Sequence, residues 1–172
     1  MADLKKFIRN IPDFPIKGIL FKDITTLIKN GAAFREATDK LAAHYRGMKI
    51  DRIACVEARG FIIGAALAYK LGAGVAIIRK KGKLPAKKIS IKYKLEYGFD
   101  SVEIHEDAVT KGLNYLILDD LLATGGTALA SYKLLMKRKA KIKGFAFLIE
   151  LTDLNGRKKL PEGTEVFSLL KY

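Results

Sequence analysis

The chain contains a single cysteine, Cys55, among 172 residues. One thiol cannot close an internal disulfide or build a cysteine-rich metal site. Cys55 sits in the strand-like run Arg52-Ile-Ala-Cys-Val-Glu57, where the expected role is that of a small buried residue. Histidine is nearly absent as well. His44 and His105 have no partner at metal-ligand spacing, and no Ser/His/Asp or Cys/His arrangement accompanies them. Behind Met1-Ala-Asp-Leu-Lys-Lys there is no apolar segment of the kind a secretory leader needs. The longest apolar stretch, Phe61 to Ile78, is broken by Lys70 and by Gly64, Gly72 and Gly74, so it reads as helix, turn and strand, not as a membrane span. Repeats, low-complexity tracts and interdomain linkers are missing too. Together these absences predict a soluble cytoplasmic protein with no membrane partner, folded as one domain over residues 1–172. Such a chain buries roughly 70% of its unfolded surface and needs no staple.

Acidic residues are also scarce: 18 against 32 Lys and Arg, a formal charge of +14. A nucleic-acid partner is one reading of that surplus, since basic patches supply the sequence-independent part of such binding. The other is a solvated Lys-rich surface on an enzyme of anionic substrates. The second carries more weight. Lys dominates, no nucleic-acid motif occurs and the aromatics do not interleave with the cations, so no specific nucleic-acid partner is expected.

The most informative segment that is present is Tyr115-Leu-Ile-Leu-Asp-Asp-Leu-Leu-Ala-Thr-Gly-Gly-Thr127. It reads as an apolar strand ending in two carboxylates, then a loop of small residues, then a helix. Backbone N–H groups of Ala123, Thr124, Gly125, Gly126 and Thr127 can converge on an oxyanion, and the following helix adds its positive end. Two acids, Asp119 and Asp120, beside such a cradle suit a ligand that carries a phosphate and either hydroxyls or a metal, the outline of a phosphorylated sugar. It is no nucleotide P-loop, because no Lys follows Gly125-Gly126. Gly72-Ala-Gly74 lacks the third glycine of a dinucleotide fingerprint and leads into a strand. Simple helix capping by Asp120 would need far less than this whole motif.

Periodicity predicts a short helix over Leu4–Arg9, an extended Gly18–Asp23, and a helix over Ala32–Arg46. After these come strand Arg52–Glu57, helix Gly60–Leu71, strand Gly74–Arg79, strand Leu116–Asp120, helix Thr127–Lys137, strand Gly144–Leu151 and a last strand near Thr164–Leu170. Alternating strands and helices imply an α/β fold with an open, mainly parallel twisted sheet flanked by helices. Residues 80–112 are too long for a plain connection and are expected to form a flexible excursion, with Ser90–Tyr93 and Val102–His105 as two short strands. Ligands of open parallel sheets bind beyond the carboxyl ends of the strands, where Glu57, Arg79 and Asp119-Asp120 all fall. Glu57-Ala-Arg-Gly-Phe61 offers Arg59 as a phosphate clamp, and Arg79-Lys-Lys-Gly-Lys-Leu-Pro85 wraps cations around Gly82. A solvated turn is an equal reading of the first segment; the second begins at a strand's carboxyl end and contains Gly82, which favours a loop around an anion.

At this point the chain resembles the type I phosphoribosyltransferases, whose signature Asp119-Asp-Leu-Leu-Ala-Thr-Gly-Gly-Thr127 matches. The resemblance implies that the segment binds 5-phosphoribosyl-1-pyrophosphate (PRPP), with Asp119 and Asp120 toward the ribose hydroxyls, directly or through a metal shell, and Ala123 to Thr127 on the 5-phosphate. It also implies Arg59, Arg79 and Lys83 near the pyrophosphate, and Mg²⁺ carried by PRPP without a dedicated protein site. Phe14-Pro-Ile-Lys-Gly-Ile-Leu-Phe-Lys-Asp23 and Leu95-Glu-Tyr-Gly98, in this order with the other motifs, are similar to the adenine-accepting branch of that family. That branch implies a hood over residues 1–30, with Phe21 against the adenine face and backbone groups of Leu20 and Lys22 reading its edge. One C=O and one N–H suffice to separate adenine from hypoxanthine, whose edge places acceptor against acceptor. By the same resemblance Glu96 is the acid/base for N9, Tyr97 helps the loop close, the products are AMP and pyrophosphate, and the assembly is a homodimer. A transferase for another purine and a non-catalytic PRPP-sensing regulator are the alternatives. Two departures stand out: residues 87–94 are unusually basic, and Lys137-Arg-Lys-Ala-Lys-Ile-Lys143 offers no glycine where the preceding helix should end.

Overall fold

The computed structural model describes residues 3–94 and 98–172. After a 3₁₀ turn at Leu4–Phe7, the elements are β1 (Arg9–Ile11), β2 (Phe21–Asp23), α1 (Thr25–Ile28), α2 (Gly31–Tyr45), β3 (Arg52–Val56), α3 (Arg59–Leu71) and β4 (Gly74–Lys80). They continue with β5 (Lys88–Lys94), β6 (Phe99–His105), β7 (Asn114–Leu122), α4 (Gly126–Met136), β8 (Lys141–Glu150) and β9 (Val166–Lys171). Strands β1 and β2 form a small antiparallel pair, and the rest make one sheet in the order β5-β6-β4-β3-β7-β8-β9. Its centre, β4-β3-β7-β8-β9, is parallel throughout, while β6 joins β4 antiparallel and pairs with β5.

The near-continuous apolar runs of β3, β7 and β8 arise because both faces of this sheet are covered. Along β7, Leu116 and Leu118 enter one core with Ile53, Cys55, Ile63, Leu67 and Leu41, the side that carries α2 and α3. Tyr115 and Ile117 enter the other, with Ala54, Val56, Ile78, Leu134, Leu135 and Phe147, the side that carries α4. This period of two decides the site below, because it continues through Asp119 and Asp120. Cys55 is fully buried, and burial pushes its thiol up to about 12, so it packs without reacting.

Three expectations need correction. The first helix stops at Phe7, and Arg9 instead opens β1, drawn into pairing with Asp23. Strand β7 does not end at Asp120: Leu121 and Leu122 keep pairing with Ile149 and Glu150 on the long neighbouring strand. Within 80–112, the two expected strands are longer, run in full register from Lys88↔His105 to Lys94↔Phe99, and extend the main sheet. The missing glycine after α4 is replaced by Lys139, which itself takes the left-handed conformation at φ 57°. Its carbonyl accepts from Gly112 N–H at 3.1 Å and the next strand starts two residues later, which holds the turn in place.

A residue with a Cβ at that φ carries a local cost of about 1 kcal/mol. Lys139→Gly should therefore raise the urea midpoint by an amount equivalent to about 1 kcal/mol, with an unchanged m-value, whereas Lys139→Ala should give no gain.

Candidate active site

Because β7 runs on past its two acids, its pleat sends Asp119 and Asp120 to opposite faces. Asp120, 6% exposed, turns to the α3 side, where Arg59 Nε stands 2.7 Å from Oδ2 as an ion pair without an aligned N–H. Asp119 borders the cavity that holds Tyr93 and Thr127, and its Oδ1, which accepts the Asp120 N–H at 2.8 Å, also faces Gly60 of α3. Burial and the adjacent Asp120 carboxylate push Asp119 well above the usual carboxylate range; burial raises Asp120 as well, with Arg59 pulling the other way. Helix α3 can come this close because Gly60 has no side chain: a Cβ there would stand 3.2 Å from Asp119 Oδ1 and 3.3 Å from Leu118 O. One turn on, a Cβ at Gly64 would overlap Cys55 Sγ.

The loop after β7 reaches α4 through Gly125, left-handed at φ 79°. Among the described residues, no group accepts a hydrogen bond from the N–H of Thr124, Gly125, Gly126 or Thr127. Four orphan donors at the start of an eleven-residue helix make a cradle of N–H groups whose chemistry suits an anion. The cradle encloses about 70 Å³ between Asp119 and Ala128. Beside it lies a cavity of about 280 Å³ lined by Glu57, Arg79, Lys80, Tyr93, Asp100, Asp119, Asp120 and Thr127. Three strand ends, β3, β4 and β7, thus meet at one crevice.

Glu57 follows β3, and its peptide bond to Ala58 is cis. Its carboxylate accepts from Arg79 Nη2 at 3.1 Å, Arg79 Nε at 3.3 Å and Lys80 N–H at 2.9 Å. These bonds, the Arg79 guanidinium above all, hold Glu57 below the usual carboxylate range. Arg79 Nη1 also donates to Lys83 O at 3.0 Å, and Gly82 N–H donates to Glu103 Oε2 at 3.0 Å. The Arg79–Lys83 turn is therefore fixed by its own first residue, whose charge is shared with Glu57.

Over the crevice stands the β1/β2 pair. The Arg59 guanidinium lies 4.9 Å from the centre of the Phe21 ring, and Phe14 packs edge-on to Phe21 at 5.1 Å. Leu20 is exposed beside it. The Lys22 side chain points away from the crevice: Nζ donates to Asn10 Oδ1 at 2.8 Å and sits 4.2 Å from the Tyr172 ring centre. Asp23 fastens this hood to the body. It accepts from Arg9 Nη2 at 2.5 Å, Thr25 N–H at 2.9 Å and Thr25 Oγ1 at 2.9 Å.

The structure thus brings Arg59, Arg79, Asp119, Asp120, the 123–127 loop and Phe21 around one crevice, with Lys83 at the turn beside it. Glu96 and Tyr97 lie outside the described residues. Sequence reasoning missed two others. Tyr93 reaches from β5 to Thr127 Oγ1 at 3.1 Å and to Asp100 Oδ2 at 3.4 Å. The alternation Ile89, Ile91, Tyr93 was the available signal, since all three pack on the α4-side core. Gly156 lies directly beneath the cradle, and its sequence neighbourhood gives no hint of that. Among the described residues, no helix is long and apolar enough to cross a membrane, and no cluster of three or more His, Cys, Asp or Glu is placed to hold a metal.

Sheet order, cradle and paired acids define a phosphoribosyl transferase domain, and the family model of that description matches residues 23–170. An adenine phosphoribosyltransferase of Citrifermentans bemidjiense is 59% identical over 100% of both chains, so hood and loop segments fall inside the similarity. The crystal structure of adenine phosphoribosyltransferase from Thermoanaerobacter pseudethanolicus superposes with a TM-score of 0.95 at 53% identity, over 99% of this chain and 98% of that one. The Saccharomyces cerevisiae enzyme, complexed with an imino-altritol bisphosphate and adenine, gives a TM-score of 0.91 at 39% identity, over 98% and 97%. The chain belongs to the adenine phosphoribosyltransferases, the purine-salvage enzymes that transfer a phosphoribosyl group from PRPP to adenine.

The hood's anchor makes a pH prediction. The Thr25 N–H, assisted by Arg9, lowers Asp23 from 3.8 to about 2. The stability this adds is complete above the unfolded value and is lost as pH falls through about 2. Between those limits Asp23→Asn should remove about 1 kcal/mol of the pH dependence of unfolding, the solvent-screened share of the shift. Parallel urea titrations of both proteins from neutral pH down through this window measure the difference.

Proposed function

We propose that this crevice performs the family's reaction with the following division of labour, in a cytoplasmic homodimer that uses Mg²⁺. The observation that carries it is that Asp119 and Thr127 line both the anion cradle and the larger cavity. A ligand with its phosphate in the first would place its sugar ring in the second. Thr124 to Thr127 hold the 5-phosphate of PRPP through their free N–H groups, and Ala123 closes the loop. Asp119 and Asp120 take the ribose hydroxyls from the two sides of β7. Arg59 and Lys83 meet the pyrophosphate, while Arg79, clasped by Glu57, holds the turn in shape. Adenine stacks on Phe21, and backbone groups of Leu20 and Lys22 read its edge. That readout needs no side chain, which agrees with the Lys22 ammonium being committed elsewhere.

In the reaction the bond from C1 of the ribose to pyrophosphate breaks and the bond from C1 to N9 of adenine forms. The N9 proton passes to Glu96. Positive charge that develops on the ribose ring faces the carboxylates of Asp119 and Asp120, and negative charge on the leaving group faces Arg59 and Lys83. Two carboxylates alone do not cage a cation, but their hard oxygens fit Mg²⁺ that is shared with substrate oxygens and water. Bound there, the ion would supply charge neutralisation of the pyrophosphate.

Supporting the homodimer is an uncovered apolar face: Ile62 and Tyr69 on α3, and Val75 and Ile77 on β4 beyond it, are exposed on the same side of the sheet, Tyr69 at 87%. A reducing compartment suits a chain whose one thiol is buried. Tyr69→Glu should halve the mass seen by sedimentation equilibrium.

Incubation with PRPP, Mg²⁺ and adenine, guanine, hypoxanthine or xanthine separately should yield AMP from adenine and negligible product from the others. Equal use of another purine, or no product at all, would contradict the proposal. Glu96→Gln should retain PRPP binding and lose on the order of 10²-fold in turnover. An unchanged turnover removes Glu96 from the mechanism.

A further inference from the structure

We propose that Gly156 is a positioning residue for PRPP and AMP: the Asn155–Lys159 segment is a buttress that sets the direction of the N–H groups in the phosphate cradle. This rests on the reading of Thr124 to Thr127 as the 5-phosphate site.

The contact is backbone on backbone. A Cβ at Gly156 would overlap Ala123 O and stand 2.9 Å from Gly125 N and 3.0 Å from Ala123 C. In the other direction, a Cβ at Gly125 would overlap Gly156 O. Two glycines from segments 31 positions apart in sequence therefore let the strands of chain touch where no other residue type fits. The geometry has a directional consequence. A trans peptide points its C=O and N–H to opposite sides. With the Ala123 carbonyl against Gly156, the Thr124 N–H is turned to the far side of the loop, and Thr124 and Gly125 donate no hydrogen bond to any described residue. The buttress thus aims donors that the protein itself does not satisfy.

The buttress is stiff enough to do this. Arg157, next to Gly156, donates from Nε to Glu150 Oε1 at 3.0 Å, from Nη2 to Glu150 Oε2 at 2.6 Å and from Nη1 to Val166 O at 2.6 Å. Glu150 is the buried last residue of β8, so a planar fork ties the segment to the end of one strand and the start of the next. Upstream, Leu151 N–H is bonded to Leu122 O at 2.9 Å, at the end of β7; downstream, Leu160 is buried in the core. Asn155 supplies the left-handed bend at φ 52° that brings Gly156 up to the loop. Gly156 touches no reacting atom. It acts through Ala123 and Gly125.

A displaced cradle should lose the phosphate and leave the base site alone. Phosphate recognition is read directly as the ratio of the Kd of adenosine to the Kd of AMP, measured by calorimetry on the full chain. Gly156→Ala should lower that ratio at least tenfold and raise KM for PRPP by a similar factor, with KM for adenine within twofold of the parent. Arg157→Ala, which introduces no overlap, should move the same ratio in the same direction by a smaller factor, about threefold, and Arg157→Lys should recover only part of it. Thr127→Asp, which puts a carboxylate beside the same N–H groups, tests the underlying reading: an unchanged ratio there means that the cradle is not the phosphate site. If Thr127→Asp lowers the ratio while Gly156→Ala and Arg157→Ala leave it at the parent value, or shift adenine and PRPP constants equally, the buttress is refuted.

Discussion

The structure depends on holding two adjacent carboxylates at the end of a buried strand. Asp119 and Asp120 are desolvated by the same packing that makes β7 the middle strand of the parallel part of the sheet, and Asp120 raises the cost of ionising Asp119 further. A strand in this position would ordinarily end before its acids. Here it continues through them, because β8 is long enough to keep pairing with Leu121 and Leu122. Continuation fixes both side chains by the pleat, so that the two acids border one cavity of about 280 Å³ from different directions instead of stacking on one face.

The surrounding elements follow from that constraint. Arg59 offsets Asp120, and it arrives there only because Gly60 and Gly64 let α3 lie against Leu118 and Cys55. The same guanidinium reaches the Phe21 ring, so the group that stabilises the acids also meets the hood. On the other face, Thr127 opens α4 beside Asp119 and receives Tyr93 from β5. Hood, cradle and loop hairpin are thus each one contact away from the acid pair. A ligand that brings hydroxyls and a divalent cation to those acids would relieve the cost of burying them, which ties ligand binding to stability.

Most of this was legible because the signals were strong and local. Asp119-Asp120 with Ala-Thr-Gly-Gly-Thr announced the cradle, and the apolar runs around Ile53 and Leu116 announced a sheet covered on both faces. What was not legible depends on partners distant in sequence. The extent of β7 was set by β8, the pairing of Arg9 by Asp23, and the welding of β6 to the sheet by β4. Gly156 touches Ala123 across more than thirty residues and leaves no periodic trace. Lys139 in a left-handed turn was visible only as the absence of a glycine. The family resemblance covered a different gap: Phe21, Glu96 and Tyr97 could not be distinguished from a core aromatic and exposed loop residues by spacing.

Burial and Asp120 both oppose ionisation of Asp119, so keeping a carboxyl there costs stability, and the proposed return is its contact with the ribose. Asp119→Asn removes the ionisable group and keeps the shape, so it tests both halves at once. Measured side by side at neutral pH by thermal melting and by PRPP titration with Mg²⁺, the variant should melt higher than the parent and bind PRPP at least tenfold more weakly. A variant that melts lower, or that binds PRPP as the parent does, would contradict the account.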